Sequence, residues 1–354
     1  MRKLLLSMFA ALALLGCDKE HTPIAPIEPG VIGFGNVTTR AVDSADDINE
    51  FPVWACMADP SADYYAPILT NERVYKGDNG QWKYDNTRLW IANSHFFFLS
   101  VFSDADTCPL FTENKVDIAG NGSQHMVYTM DVTTPNTADM DILTAFNYTN
   151  TSGVYSQTVS MQFSHLLTKV NLKIRQDFDK DPDFDYFVTK VTITGIKNSG
   201  RFGVVPYASA SPYYFSGWTF AENATTLTVE KTFDTPQILR AYDEPDPKNK
   251  VIDTWGNDGI LLIPQEIVDN TVKVRIDYLY DETPGDNDPG TIAHYVEGFL
   301  PTNIINEEPK EILWQSGKSI NYTIKVAEQN DISFAQPTID PWGSPQTGGT
   351  IIIK

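Results

Sequence analysis

Two positions near the start of the sequence are candidates for covalent chemistry, a cysteine for acylation and an arginine for proteolysis. Leu14, Leu15 and Gly16 precede Cys17 at the end of a short apolar run that follows a basic start. The run is too short to span a bilayer and is typical of an export signal. Its end resembles a bacterial lipobox, after which the cysteine becomes the acylated N-terminus. Residues 1–17 are therefore predicted to be a lipoprotein signal peptide with its lipobox cysteine, the alternative being an ordinary secretory signal with an incidental cysteine.

The second candidate position lies after the segment VIGFGNVTT, whose alternation predicts a half-buried strand. Ile32 and Phe34 are expected on one face and Val37 on the other. Arg40 and Ala41 follow, and then an acidic run without apolar periodicity, which is typical of an exposed loop. Cleavage after Arg40 would free this strand from its sheet. The alternative is a first edge strand followed by an ordinary loop.

Composition limits the classes of function that remain. A chain of 354 residues with 42% hydrophobic residues is long enough for two domains with cores. A net charge of −20 speaks against nucleic acid as a partner, because phosphates require clustered Lys and Arg. Residues 18–40 comprise a polar tether with Pro23, Pro26 and Pro29, followed by the first strand. If the loop is cleaved after Arg40, these residues form a propeptide.

The rest of the chain predicts an all-β protein. Short runs rich in Val, Ile, Thr, Tyr and Phe alternate with Gly, Asn, Asp and Pro, which is typical of β-sandwiches. HFFFLSVF, from His95 to Phe102, is almost continuously apolar and predicts a central strand covered on both faces, the alternative being a short buried helix. We place a domain boundary near residue 165, which gives an N-terminal domain over 41–165 and a C-terminal domain over 166–354.

The two other cysteines, Cys56 and Cys108, fall in the predicted N-terminal domain. In an exported protein they are candidates for one disulfide. Cys56 also lies in an apolar strand, where a free buried thiol is ordinary. The sequence leaves both alternatives open.

Catalytic and metal-binding patterns are sparse. The histidines have no ligand spacing, and no nucleophile or phosphate-binding motif occurs: His21, His95, His125, His165 and His294 are scattered. Acidic stretches at 177–185 and 281–288 contain oxygen ligands that Ca²⁺ accepts, but neither has EF-hand spacing, and solvated turns are the favoured interpretation. We therefore predict no cofactor, no metal site and no enzymatic activity.

Several segments together resemble one family. They are the lipobox at Cys17, the TRA sequence at Arg40 and Ala41, FSHLLTKV from Phe163, LLIPQ from Leu261, and WQSGKSINYTIKV from Trp314. In this order and spacing they resemble the fimbrillin family of Bacteroidales, whose members are subunits of type V pili. Each segment is weakly specific alone, but the match that they form together extends over nearly the whole chain.

The resemblance implies two transthyretin-like β-sandwich domains in tandem and a structural or adhesive role in a cell-surface fimbria. It implies a lipoprotein precursor attached to the outer membrane through Cys17 and trimmed after Arg40 by an Arg-specific, trypsin-like protease. It also implies that the strand before Arg40 leaves a groove, which another fimbrial subunit fills by strand exchange. Host or bacterial surface ligands are further candidate partners.

The end of the sequence supplies a candidate donor strand. Its residues, in which Ile351 and Ile353 would share one face, are Thr350, Ile351, Ile352, Ile353 and Lys354. The alternative is a last edge strand paired within its own domain. A different class of function, a surface glycan-binding lipoprotein, is suggested by seven Trp and sixteen Tyr, since aromatic rings stack on sugars. Strand release after Arg40 separates the two functions, because a glycan-binding module does not need it.

Overall fold

The structure is a computed structural model. It describes residues 30–39, 48–58, 65–103, 116–118, 126–131, 136–137, 141–151, 157–176, 185–206, 213–239, 251–256, 259–281, 289–301, 303–304, 310–311, 314–327, 331–334 and 337–341. In these ranges no helix is long and apolar enough to cross a membrane.

Most of the described residues lie in strands. The strands are β1 (Gly33–Thr39), β2 (Glu50–Ala58), β3 (Tyr65–Lys76), β4 (Trp82–Lys83), β5 (His95–Ser103), β6 (Val116–Ile118), β7 (Met126–Asp131), β8 (Asn136–Thr137), β9 (Ile142–Asn150), β10 (Thr158–His165), β11 (Thr168–Gln176), β12 (Asp185–Lys197), β13 (Ser199–Pro206), β14 (Tyr213–Thr219), β15 (Thr226–Leu239), β16 (Ile252–Asp253), β17 (Ile260–Leu262), β18 (Lys273–Asp281), β19 (Ile292–Phe299), β20 (Asn303–Ile304), β21 (Lys310–Glu311), β22 (Lys318–Ala327), β23 (Asp331–Phe334) and β24 (Thr338–Pro341). The predicted all-β fold class is confirmed.

The first sheet contains seven strands in the order β1-β10-β9-β5-β2-β3-β4. Its interior strand β5 is the apolar run predicted to be covered on both faces. Phe96 and Phe98 are buried in a core on one face, and Phe97 and Leu99 are buried in a core on the other. Successive side chains of a strand point to opposite faces, so continuous hydrophobicity is the pattern expected for this position.

The two cores differ in which parts of the chain they join. The first core lies on the face of the sheet that carries Phe34 and consists of residues from the first half of the chain. It includes Ile32 and Phe163. The second core joins Trp54 and Leu99 of the first sheet to residues of the later strands, including Val170 and Ile320. The first sheet is therefore packed between two cores, and only the first of these includes side chains of β1.

The remaining described strands form three further sheets and a short pair. One seven-stranded sheet has the order β23-β22-β11-β17-β8, with β16 pairing with β11 and β24 with β22. The four-stranded sheets have the orders β15-β12-β18-β19 and β14-β13-β7-β6, and β20 pairs with β21. Strands β7 and β8, which precede residue 165, pair with β13 and β17, which follow it. Pairing thus crosses the predicted boundary, and the division into two tandem domains stays a prediction.

Candidate strand-exchange site

Strand β1 lies at the edge of the first sheet and runs parallel to its neighbour β10. The other pairs of this sheet are antiparallel. The pairing extends from Gly33, opposite Thr158, to Thr39, opposite Phe163. Among the described strands, β1 has a paired neighbour on one side only. Its departure would break one row of backbone hydrogen bonds and would leave the antiparallel strands paired with one another.

The residues just before β1 are held from the opposite side as well. The Ile32 N–H donates to the Arg88 carbonyl at 2.8 Å, and the Trp90 N–H donates to the Gly30 carbonyl at 2.7 Å. Val31 and Leu89 form an antiparallel bridge between these bonds. We call residues 88–90 the clamp. The chain at the beginning of the strand is therefore hydrogen-bonded to the clamp on one side, and the strand that follows is paired with β10 on the other.

A buried hydroxyl joins the clamp to the strand. Tyr84 Oη donates to the Ile32 carbonyl at 2.8 Å and accepts from the Arg88 N–H at 3.0 Å. Burial raises the pKa of this hydroxyl, so it stays protonated as a donor at neutral pH. The Arg88 Nε also donates to the Ile68 carbonyl at 3.0 Å, which fixes the clamp against β3.

The inward side chains of this segment anchor it in the first core. Ile32 is 0% exposed and Phe34 is 3% exposed. The Phe34 ring centroid lies 6.2 Å from that of Phe51, 5.6 Å from Tyr84 and 6.1 Å from Phe98, and all three pairs are edge-to-face. Burying a side chain of this size contributes about 1.5–3 kcal/mol, and each aromatic pair adds about 0.5–1.5 kcal/mol. Phe34 is therefore the principal side-chain anchor of β1.

A bulge changes the alternation of the strand beyond Phe34. The register with β10 shifts between Gly35 and Thr38, and Asn36 has a φ of 50°, a conformation that asparagine tolerates better than most residues. Val37 consequently packs against the first core. The prediction that Val37 lies on the face opposite Phe34 is wrong, because strict alternation does not allow for the extra residue of a bulge.

The positions predicted for acylation, processing, the second disulfide cysteine and strand donation lie outside the described residues. They are Cys17, Arg40, Ala41, Cys108 and the donor segment Thr350, Ile351, Ile352, Ile353 and Lys354. Strand β1 ends one residue before Arg40, and the description resumes at Ile48. Acylation, processing and strand donation at these positions stay predictions, as does release of the strand.

The last described strands lie along one side of β22. Strand β23 pairs with the end of β22, and β24 pairs with its beginning, where Lys318 is opposite Pro341. Both strands are antiparallel to β22, whose other side is paired with β11 in parallel. The described chain therefore ends on an outer strand of the second seven-stranded sheet.

Cys56 is a buried free thiol in this structure, with 0% exposure. Burial raises its pKa to about 12, so the thiol is protonated and unreactive at neutral pH. The disulfide with Cys108 stays a prediction, and the alternative of a free buried thiol describes the structure as it stands.

His165 contacts the Asp141 carboxylate through Nδ1. The other oxygen of that carboxylate accepts from the Ile142 N–H at 2.7 Å. The histidine is thus part of the junction between β9 and β10. In the described ranges, no group of three or more His, Cys, Asp or Glu side chains is arranged to hold a metal ion. The two acidic stretches considered for Ca²⁺ fall largely outside those ranges.

The tryptophans that the structure describes, which had suggested glycan binding, pack in or against the two cores. Trp54, Trp90 and Trp314 are buried in the cores. Tyr295 is 52% exposed, but the Arg275 guanidinium lies over its ring at 3.9 Å from the centroid. One face of this exposed ring is therefore already occupied.

The clamp and Tyr84 are the parts of the site that the sequence did not indicate. An isolated β-bridge produces no alternation, and residues 88–90 precede the predicted central strand without a pattern of their own. The nearest signal in the sequence was the pair of apolar residues that flank Trp90, Leu89 and Ile91. In the structure both are exposed. Without the fold, nothing assigned them to the strand before Arg40.

Comparison with known proteins agrees with this fold. A family profile described as fimbrillin-like matches residues 39–342. The chain is similar to a fimbrial protein from Bacteroides vulgatus ATCC 8482, with a TM-score of 0.57, 18% identity, and coverage of 88% of this chain and 99% of that one. It also aligns with the C-terminally truncated tip fimbrial protein Mfa3 from Porphyromonas gingivalis, with a TM-score of 0.35, 9% identity, and coverage of 88% and 100%. No curated protein matches the chain.

The two-sided attachment of the strand predicts the effect of removing one hydroxyl. Tyr84→Phe leaves the buried Ile32 carbonyl and the Arg88 N–H without this partner, so we expect a loss of about 1–3 kcal/mol in the free energy of unfolding. Tyr75→Phe is the matched control. Its hydroxyl contacts Asp85 at 3.1 Å on the surface, so its removal should cost less than about 0.5 kcal/mol. Equal denaturant midpoints for the two variants would contradict the structural role of Tyr84.

Proposed function

Because the chain belongs to the fimbrillin-like family, we propose that it is a structural or adhesive subunit of a cell-surface fimbria, assembled with other subunits by strand exchange. The family consists of structural adhesion subunits and not of enzymes, so the prediction that the chain is not an enzyme is confirmed by its membership. The observation that carries strand exchange is the position of β1. It is an edge strand with deeply buried side chains, and it ends one residue before Arg40.

Cleavage after Arg40 converts this strand into a replaceable one. In the uncut chain, β1 is tethered to the rest of the protein and competes for its place at a high effective concentration. After the cut the tether is lost, and a neighbouring subunit's segment competes on equal terms. Main-chain hydrogen bonds to β10 then provide affinity, and side chains in the first core provide register.

Export as a lipoprotein brings the subunit to the surface in this proposal. The lipobox ending at Cys17 supports acylation of that residue, and the acyl chains hold the precursor to the outer membrane until it is trimmed. The tether up to Arg40 then remains with the lipid, so a single cut releases the subunit from its anchor and frees β1. At the other end, the residues after β24 contain the candidate donor, whose isoleucines suit a neighbouring subunit's groove.

Substitution of Arg40 separates processing from folding. Surface-recovered protein should begin at Ala41, and both Arg40→Ala and Arg40→Lys should keep the earlier start, because an Arg-specific protease requires arginine. Arg40→Lys is the matched control, since trypsin should still cut it in vitro if the loop is accessible. N-terminal sequencing checks the start, and gel analysis of surface fibres checks assembly. Normal incorporation of uncut Arg40→Ala protein would contradict the proposal.

Substitution of Cys17 tests the anchor alone. Cys17→Ala should abolish acyl labelling and detergent-phase partitioning of the precursor, because no other position carries a lipobox. Cys56→Ala, which removes a buried thiol, is the control and should leave both measurements unchanged. Membrane association that persists in Cys17→Ala would refute lipid anchoring at this residue.

A further inference from the structure

The groove occupied by β1 and by Ile32 just before it has two side-chain positions of different chemistry. Ile32 fills an aliphatic position and is completely buried. Phe34 fills an aromatic position, in which the rings of Phe51, Tyr84 and Phe98 surround it edge-on. Such edge-to-face contacts depend on the quadrupole of the inserted ring, and an aliphatic side chain does not reproduce them.

Backbone pairing fixes which residue of a strand reaches each position. Ile32 is bound from the clamp side through Arg88 and Tyr84. Phe34 lies opposite Val159 on the β10 side. A strand held from both sides at residues two positions apart cannot slip by one position without moving its apolar side chains to the other face. The aromatic position therefore receives the residue two places from the one in the aliphatic position.

The chain's own candidate donor has the correct spacing and the wrong chemistry. Ile351 and Ile353 are two residues apart, as Ile32 and Phe34 are. In either direction of insertion, one isoleucine would occupy the aromatic position. It is smaller than phenylalanine, so it would leave part of the space empty and would lose the three ring contacts.

We propose that the groove vacated by β1 selects a donor segment with an aromatic residue two positions from an aliphatic one, contributed by a different subunit and not by residues 350–354 of a second copy of this chain. The inference rests on the proposed strand exchange and specifies its partner. The isoleucine-rich end of this chain is then a donor for a groove of another composition, and the subunit joins two unlike neighbours.

Peptide competition tests this selection. A protein that begins at residue 18 carries the recognition site of a sequence-specific protease at Arg40 and is cut there. A fluorescent VIGFGNVTT peptide then replaces the chain's own first strand in the cut protein. Competitors are the same peptide unlabelled, its Phe34→Ile form, and VFGIGNVTT, which exchanges the two apolar residues and keeps the composition. The tail peptide QTGGTIIIK and its Ile353→Phe and Ile351→Phe forms complete the set.

We expect the Phe34→Ile peptide to compete about tenfold more weakly or worse than the unchanged peptide, and the exchanged peptide to be at least as weak despite identical composition. The tail peptide should be similarly weak, and one of its two phenylalanine forms should gain about tenfold. Equal competition by all peptides would overturn the inference while leaving strand exchange intact. If the labelled peptide never enters the cut protein, strand exchange itself fails, and the inference fails with it.

Discussion

The contact on which the described site depends is the insertion of Phe34 among three aromatic rings of the first core. An edge strand held by a single row of hydrogen bonds would be only weakly attached, because each bond contributes little net free energy in water. The buried ring, together with Ile32, changes this balance. It makes β1 an integral part of the core while its backbone remains at the edge of the sheet, where the proposed exchange would replace it.

The arrangement of the two cores supports the proposal that the subunit loses one strand without losing its fold. Strand β5 contributes side chains to both cores, and its neighbours β9 and β2 are paired on both sides. The second core includes no residue of β1 among its described members. Departure of β1 therefore opens the first core only, and the remaining antiparallel strands keep the second core closed.

The elements most accurately predicted from the sequence were those with strong periodicity. The apolar run of β5 and the burial of Ile32 and Phe34 both follow from the side-chain period of a strand. Val37 was assigned to the wrong face because the positive φ of Asn36 accompanies a bulge, and a bulge cannot be recognised from the alternation of apolar residues. The clamp and the pairing of β7 with β13 connect distant residues, and only the folded chain brings them together.

The central claim is that β1 becomes replaceable when the chain is cut at Arg40, and hydrogen exchange of its backbone amides measures this directly. In uncut protein the amides of β1 should be protected along with those of β10. After the cut, and with an excess of unlabelled β1 peptide present, the original β1 amides should exchange fully while those of β5 and β9 stay protected. Unchanged protection of β1 after the cut, or loss of protection across the whole first sheet at once, would contradict the account.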